Sequence, residues 1–192
     1  QNQSQKPSVC QTLQDALEKV FQQKISLFAS GRTDAGVHAL NQVCHFDVDR
    51  SEEKLKGWNL SRAISPRLPK SILVKKAWIA PSDFHSTLSP DQKTYRYLIL
   101  NQQEPSAFLN RYTDWVRHPL NLNFLNECSQ HLLGEQDFKS FQSVGSSVAH
   151  TVRTIEKAEW IWRKPHIAQF SITGTGFLKQ MVRLLMGAYV AI

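Results

Sequence analysis

Apolar residues recur along this chain with two different periods, and the change of period marks out its elements. Val9, Leu13, Leu17, Val20 and Phe21 fall on one stripe of a helix over residues 8–24, with Ser8 placed to cap its first turn. Residues 24–29 (KISLFA) read as a buried strand. Residues 42–48 read as a second, with Val43, His45 and Asp47 on one face. A loop containing two glycines, residues 30–39, joins them. Residues 51–64 predict a polar helix opened by Ser51, Glu52 and Glu53, and Pro66 and Pro69 break it. Strands follow over 72–80, over 94–101 and, more briefly, over 112–118. A helix over 122–133 closes at Gly134. Residues 152–163 and 166–173 predict a hairpin turning at Lys164-Pro165. Residues 177–191 read as a final helix with Leu178, Val182, Leu185 and Met186 along one side.

Helices and strands thus alternate irregularly, and several strands follow one another directly. That order predicts an α+β fold with a mostly antiparallel sheet rather than a doubly wound parallel one. Gly174-Thr175-Gly176 lacks the remainder of a dinucleotide-binding fingerprint, and no phosphate-binding loop occurs. A length of 192 residues suits one generous domain or two small ones. Five Trp, ten Phe and a hydrophobic fraction of 41% exclude a disordered, collagen-like or low-complexity chain. No stretch approaches the roughly 20 apolar residues that span a bilayer, and residues 1–8 lack the apolar core of a signal peptide. Cys10, Cys44 and Cys128 are few, odd in number and far apart, which points to a reducing, cytoplasmic setting.

Charge then changes the picture. Lys and Arg number 23 against 16 Asp and Glu, a formal net charge of +7. Residues 54–82 contain no acid, yet hold Lys54, Lys56, Arg62, Arg67, Lys70, Lys75 and Lys76. Either this is a solvated face, or a phosphate backbone neutralises it with release of condensed counterions.

Three segments could carry chemistry. In Gly31-Arg32-Thr33-Asp34-Ala35-Gly36-Val37-His38, two glycines five apart permit a tight turn and leave room for a ligand. Asp34 would sit at a loop tip. It is either a catalytic carboxylate kept ionised by Arg32, or a turn residue bonded to backbone amides. In Lys93-Thr94-Tyr95-Arg96-Tyr97 the two tyrosines share one strand face and Thr94 and Arg96 the other. The rings either stack on splayed nucleobases or form a half-buried stripe. Gly174 to Arg183 (GTGFLKQMVR) joins a strand to a helix. Arg183 lies amid apolar neighbours, so burial would require an acidic partner, with Asp34, Glu156 and Glu159 as candidates. His38, His45 and His85 lack metal-ligand spacing.

Taken in order, GRTDAGVHA, DFH, KTYRY, DFKSF and GTGFLKQMVRLLMG resemble the TruA family of tRNA pseudouridine synthases, from about Val9 to about Gly187. The resemblance implies a pseudouridine synthase fold: two similar halves, residues 1–100 and 101–192, each a mostly antiparallel sheet with helices, around a central basic cleft. It implies isomerisation of uridine to pseudouridine in the anticodon stem-loop of tRNA, at nucleotides thirty-eight to forty. It implies no cofactor, no catalytic metal, no membrane and a homodimer.

The same resemblance assigns roles. Asp34 matches the nucleophile, Arg183 the arginine that pairs with it, and Tyr95 the tyrosine that stacks on the target uracil. Arg32 matches an arginine implicated in base flipping, since a base must leave its stack before it can be turned. Phe84, His85, Lys93, Gly145, Ser146 and Ser147 fall in segments expected to meet RNA. Two departures stand out. Phe84-His85-Ser86-Thr87 replaces a common Phe-His-Ala-Arg, removing one expected phosphate contact. Relative to the family pattern, both ends of the chain are expected to be missing: an earlier strand with Tyr-Asp-Gly and Gly-Trp-Gln, and residues beyond the Arg183 helix.

Overall fold

Ser8 caps the first helix as its position predicts. In a computed structural model, which describes residues 8–145 and 148–192, its hydroxyl accepts from the Gln11 amide at 3.1 Å. That bond heads α1 (Val9–Phe21), and the chain leaves the helix through Gln22 at φ 55. Ala16, Leu17 and Phe21 turn inward and bury against Ile25 and Ile64. Val9, on the same predicted stripe, is instead exposed.

Two short strands follow, β1 (Phe28–Ala29) and β2 (Cys44–His45), paired antiparallel with Phe28 opposite His45 and Ala29 opposite Cys44. Both are much shorter than residues 24–29 and 42–48. Ile25 is buried as expected, but the backbone ladder forms only where the two segments face each other. The helix predicted over 51–64 is two: α2 (Glu52–Leu55) and α3 (Leu60–Ile64). Gly57, at φ +77, turns the chain between them, and the Asn59 side chain accepts from the Arg62 amide at 2.9 Å to restart the helix. Pro66 lies in a single 3₁₀ turn, Ser65–Arg67. Residues 72–80, expected as a strand, join neither sheet. Burial alternates only over Ile72, Leu73 and Val74, and residues 75–79 are all exposed, so neither a sheltered face nor a ladder extends along the segment.

Residues up to Pro90 form one compact unit, and Asp91–Ile192 form the other. The second unit holds β3 (Lys93–Asn101), β4 (Asp114–Val116), α4 (Leu122–Gln130), β5 (Gly134–Asp137), β6 (Val152–Lys164), β7 (Ile167–Gly174) and α5 (Met181–Ala191). Its five-stranded sheet has the order β4-β3-β7-β6-β5. All pairings are antiparallel except β3 with β4. The core lies beneath α4 and α5, around Ile99, Trp160, Phe170, Ile172, Met181 and Leu185. The hairpin β6–β7 is the one expected, its turn carrying His166 at φ 65.

Two details fix the register of that hairpin. Burial along β6 falls on Ile155, then on Ala158 and Trp160, so the inward face changes parity. An irregularity in pairing between Ile155 and Lys157 absorbs the extra residue. Gly174 permits the closest approach of the two strands. A Cβ there would lie 2.5 Å from the Thr154 carbonyl oxygen.

Other boundaries differ from expectation for local reasons. α4 ends at Gln130, and Gly134, at φ +87, starts β5 rather than merely closing a helix. β5 is wholly exposed and polar, so no apolar alternation announces it. α5 begins at Met181, not residue 177, because Gln180 is left-handed at φ 59. The architecture is α+β with mostly antiparallel sheets. The first unit has a two-residue ladder where the second has five strands. Among the described residues no helix is long and apolar enough to cross a membrane.

Candidate active site

The Asp34 loop runs from β1 to β2, and its stem is tied backbone to backbone: the Ser30 amide donates to the Val43 carbonyl at 2.9 Å. Gln42 reaches back across it, donating to the Gly31 carbonyl at 2.6 Å. At the tip, the Val37 amide donates to the Asp34 carbonyl at 3.1 Å, closing a turn over Ala35 and Gly36. Gly36 has φ +81, the third-position conformation a type II turn requires and L-residues resist. A Cβ at Gly31 would meet nothing within 4 Å, so the first glycine borders open space. Arg32 and Asp34 are both exposed on this loop. The turn thus uses the backbone of Asp34, and the residue stands exposed at the tip of the loop.

Residues 84–89 dock on the same root. The Ser86 hydroxyl is fully buried and donates to the Phe28 carbonyl of β1 at 3.1 Å. The Ser86 amide donates to His45 Nδ1 of β2 at 3.1 Å. Thr87 Oγ1 donates to the Ala29 carbonyl at 3.0 Å. The His45 ring stacks on Phe28 at 5.1 Å and meets the edge of His85 at 4.6 Å. Phe84 packs edge-on to His45 at 6.1 Å. Phe84 and His85 are therefore half-buried, and they pack on β1 and β2.

The second unit presents Tyr95, Lys93 and Arg183. Tyr95 and Tyr97 share the half-buried face of β3 while Thr94 and Arg96 are exposed, as the alternation predicts. Tyr95 is braced edge-on by Phe177, ring centres 4.8 Å apart. Lys93 stands opposite Gly174 in the β3–β7 ladder. Arg183 lies in the third residue of α5 and is exposed, so the cost of burying its charge does not operate. Of the acids suggested for it, Glu159 pairs with Lys157 at 2.7 Å. Tyr97 donates to Asp114 at 3.2 Å. Burial pushes the Tyr97 hydroxyl above its ordinary value of 10.0. The Asp114 charge and hydrogen bond act in the same direction, and the positive charge of Arg183 opposes them.

Gly145 has φ +76 and lies beside Lys179, whose Nζ donates to the Val144 carbonyl at 3.4 Å. Ser146 and Ser147 lie outside the described residues. All seven basic residues from Lys54 to Lys76 are exposed. Sequence reasoning missed the Ser86–His45 contact and the Tyr97–Asp114 pair. Neither has a local signature, because 41 residues separate the first pair and 17 the second.

Comparison with known proteins narrows the class. The tRNA pseudouridine synthase family model matches residues 1–87 and 128–192, and the chain belongs to that family. Among curated proteins it is 62% identical over 189 residues to tRNA pseudouridine synthase A of Bdellovibrio bacteriovorus, covering 96% of this chain and 72% of that one. It is 38% identical over 192 residues to the protein of the same name from Limosilactobacillus reuteri, covering 97% and 73%. Against that of Bacillus subtilis it is 37% identical over 182 residues, covering 92% and 72%. The mixed α+β architecture agrees with the pseudouridine synthase fold.

Proposed function

We propose that this chain isomerises uridine to pseudouridine in tRNA, in the anticodon stem-loop at nucleotides thirty-eight to forty. The observation that carries the reading is Asp34, exposed at the turned tip of Gly31-Arg32-Thr33-Asp34-Ala35-Gly36. Support comes from the relatives' shared name and from the exposed basic run Lys54 to Lys76.

The chemistry follows from those side chains. A carboxylate nucleophile, Asp34, attacks the target nucleotide and forms a covalent intermediate as the glycosidic bond breaks. The freed uracil turns and rejoins the sugar through carbon, the bond to Asp34 breaks, the ring carbon loses its proton and the former glycosidic nitrogen takes one up. Tyr95 stacks on the uracil, and Arg183 orients the carboxylate. Arg32 occupies the space vacated by the flipped base. Residues 1–100 thus supply the nucleophile and residues 101–192 the arginine. Lys93, Phe84, His85, Gly145, Ser146 and Ser147 meet the RNA. No cofactor enters this scheme. The protein works in the cytoplasm as a homodimer.

The test is tritium release from uracil-labelled tRNA. Asp34→Ala is expected to lower turnover by at least about 10³-fold, as loss of a nucleophile does. Its stability should stay within about 0.5 kcal/mol of the parent, since the side chain is exposed. Equal release from both proteins would sink the assignment. Tight tRNA binding with no release from either would point instead to a non-catalytic RNA-binding protein.

A further inference from the structure

The Asp34 loop has a weak backbone root. β1 and β2 contribute two residues each, and an isolated two-stranded pair is at best marginal in water. A long loop closing on so short a ladder should open readily. Yet both β1 carbonyls that face residues 84–89 are occupied by side-chain hydroxyls. Ser86 Oγ serves Phe28 at 3.1 Å, and Thr87 Oγ1 serves Ala29 at 3.0 Å.

The other strand is gripped from the same segment. His45 of β2 receives the Ser86 amide on Nδ1 at 3.1 Å, with Ser86 Oγ 2.9 Å from the same nitrogen. An Nδ1 that accepts carries its lone pair, so the ring proton sits on Nε2. One buried serine therefore touches both strands at the position where they pair, since Phe28 stands opposite His45. The stacked Phe28 ring and the His85 ring, themselves 6.0 Å apart, both pack on the imidazole. His85 is fixed in turn: its amide donates to Ser89 Oγ at 2.8 Å, and its Nδ1 receives the Thr87 amide at 3.2 Å.

We propose that Ser86 and Thr87 are positioning residues for Asp34, clamping β1 to β2 at the root of the loop and thereby fixing where its tip stands. Ser86 and Thr87 are the two positions at which this chain departs from the motif it resembles. The clamp supplies side-chain hydrogen bonds in place of a longer ladder. The inference rests on Asp34 being the nucleophile, because a clamp matters to turnover only if the loop carries the reacting group.

The experiment uses the full chain with Ser86→Ala, Thr87→Val and the double variant, read in two ways. Amide hydrogen exchange of residues 30–43 reports the clamp directly, whatever Asp34 does. It should quicken by about tenfold in the double variant while exchange in Asp91–Ile192 is unchanged. Tritium release should show kcat falling on the order of tenfold with KM for tRNA within about twofold, since a displaced nucleophile loses alignment rather than binding. Thr87→Ser, which keeps the hydroxyl, should recover most of the Thr87→Val loss. Unchanged exchange over residues 30–43 overturns the clamp. Faster exchange with unchanged kcat, or a rise in KM alone, overturns the positioning role. If the double variant fails to fold, the two single variants are read in the same way. Should Asp34→Ala retain full turnover, the nucleophile reading falls while the exchange result still decides the clamp.

Discussion

In the unit ending at Pro90, a small cluster of Ala16, Leu17, Phe21, Ile25 and Ile64 supports a long loop that carries an exposed acid. In the unit beginning at Asp91, a five-stranded sheet over a far larger core carries Tyr95 on a strand and Arg183 on a helix. The candidate nucleophile thus stands on the less regular scaffold, the groups that would assist it on the more regular one. An attacking carboxylate must approach a target and can use a loop's reach. A stacking ring needs only a fixed plane, which a sheet provides. The price of reach is precision, so the loop needs devices of its own: the Gly36 turn, the Gln42 brace and the hydroxyls of residues 86 and 87.

The sharpest way to break this contrast is to damage each core. Phe170→Ala should cost about 3–5 kcal/mol in urea unfolding, as removal of a wholly buried ring does. Leu17→Ala should fall toward the low end of about 2–5 kcal/mol, because a small cluster has fewer neighbours to leave unsupported. Equal costs, or a larger cost at Leu17, would remove the distinction. A second test concerns the basic face of the first unit. Replacing Lys54, Lys56 and Lys70 with Gln should flatten the dependence of tRNA affinity on salt by about one unit of logarithmic slope per lost phosphate contact. An unaltered slope would take this face out of RNA binding.

Smaller effects probe single positions. Gly36→Ala forces φ +81 on an L-residue and should cost about 1 kcal/mol, with turnover falling further than stability accounts for. Tyr97 tests the second unit by pH. Its hydroxyl is raised above 10.0, so the neutral phenol is favoured in the folded protein. That contribution is fully present below the ordinary value and is lost as pH rises through the raised one. Tyr97→Phe should therefore lose less melting temperature than the parent between about pH 9 and pH 11. Identical alkaline profiles would show that Asp114 and burial leave Tyr97 unaffected.

Much of the second unit was legible in its residues. β3 and the β6–β7 hairpin follow from alternation in the sequence, and α5 from apolar spacing, because Ile99, Trp160, Phe170, Ile172 and Leu185 meet in the same core; β7 is buried on both faces, with Gln169 and Ser171 bonded to each other. The helix α1 was legible from Ser8 and a periodic stripe. Residues 72–80 show the limit of an apolar-rich run: only Ile72, Val74 and Ala80 are sheltered, and no neighbouring strand pairs with the segment. β5 was invisible for the opposite reason, being a ladder with no sheltered face. The candidate site divides along the same line. The glycines around Asp34 marked a turn because Gly36 must be there for backbone reasons. Ser86 gave no sign of its role, since a small polar residue becomes informative only once its partners, Phe28 and His45, are brought beside it.

The extra residue between Ile155 and Lys157 has a consequence for how this chain can vary in length. Upstream of it Ile155 faces inward, and downstream Ala158 and Trp160 do, so β6 holds two opposite phases joined at one irregularity. Inserting a residue between Ala158 and Trp160 would put those two on opposite faces and drive one of them out of the core, whereas deleting Glu156 or Lys157 would only remove the irregularity. A length change between Ala158 and Trp160 is thus disfavoured, whereas the turn between Lys164 and Ile167, exposed at Pro165 and His166, can absorb one.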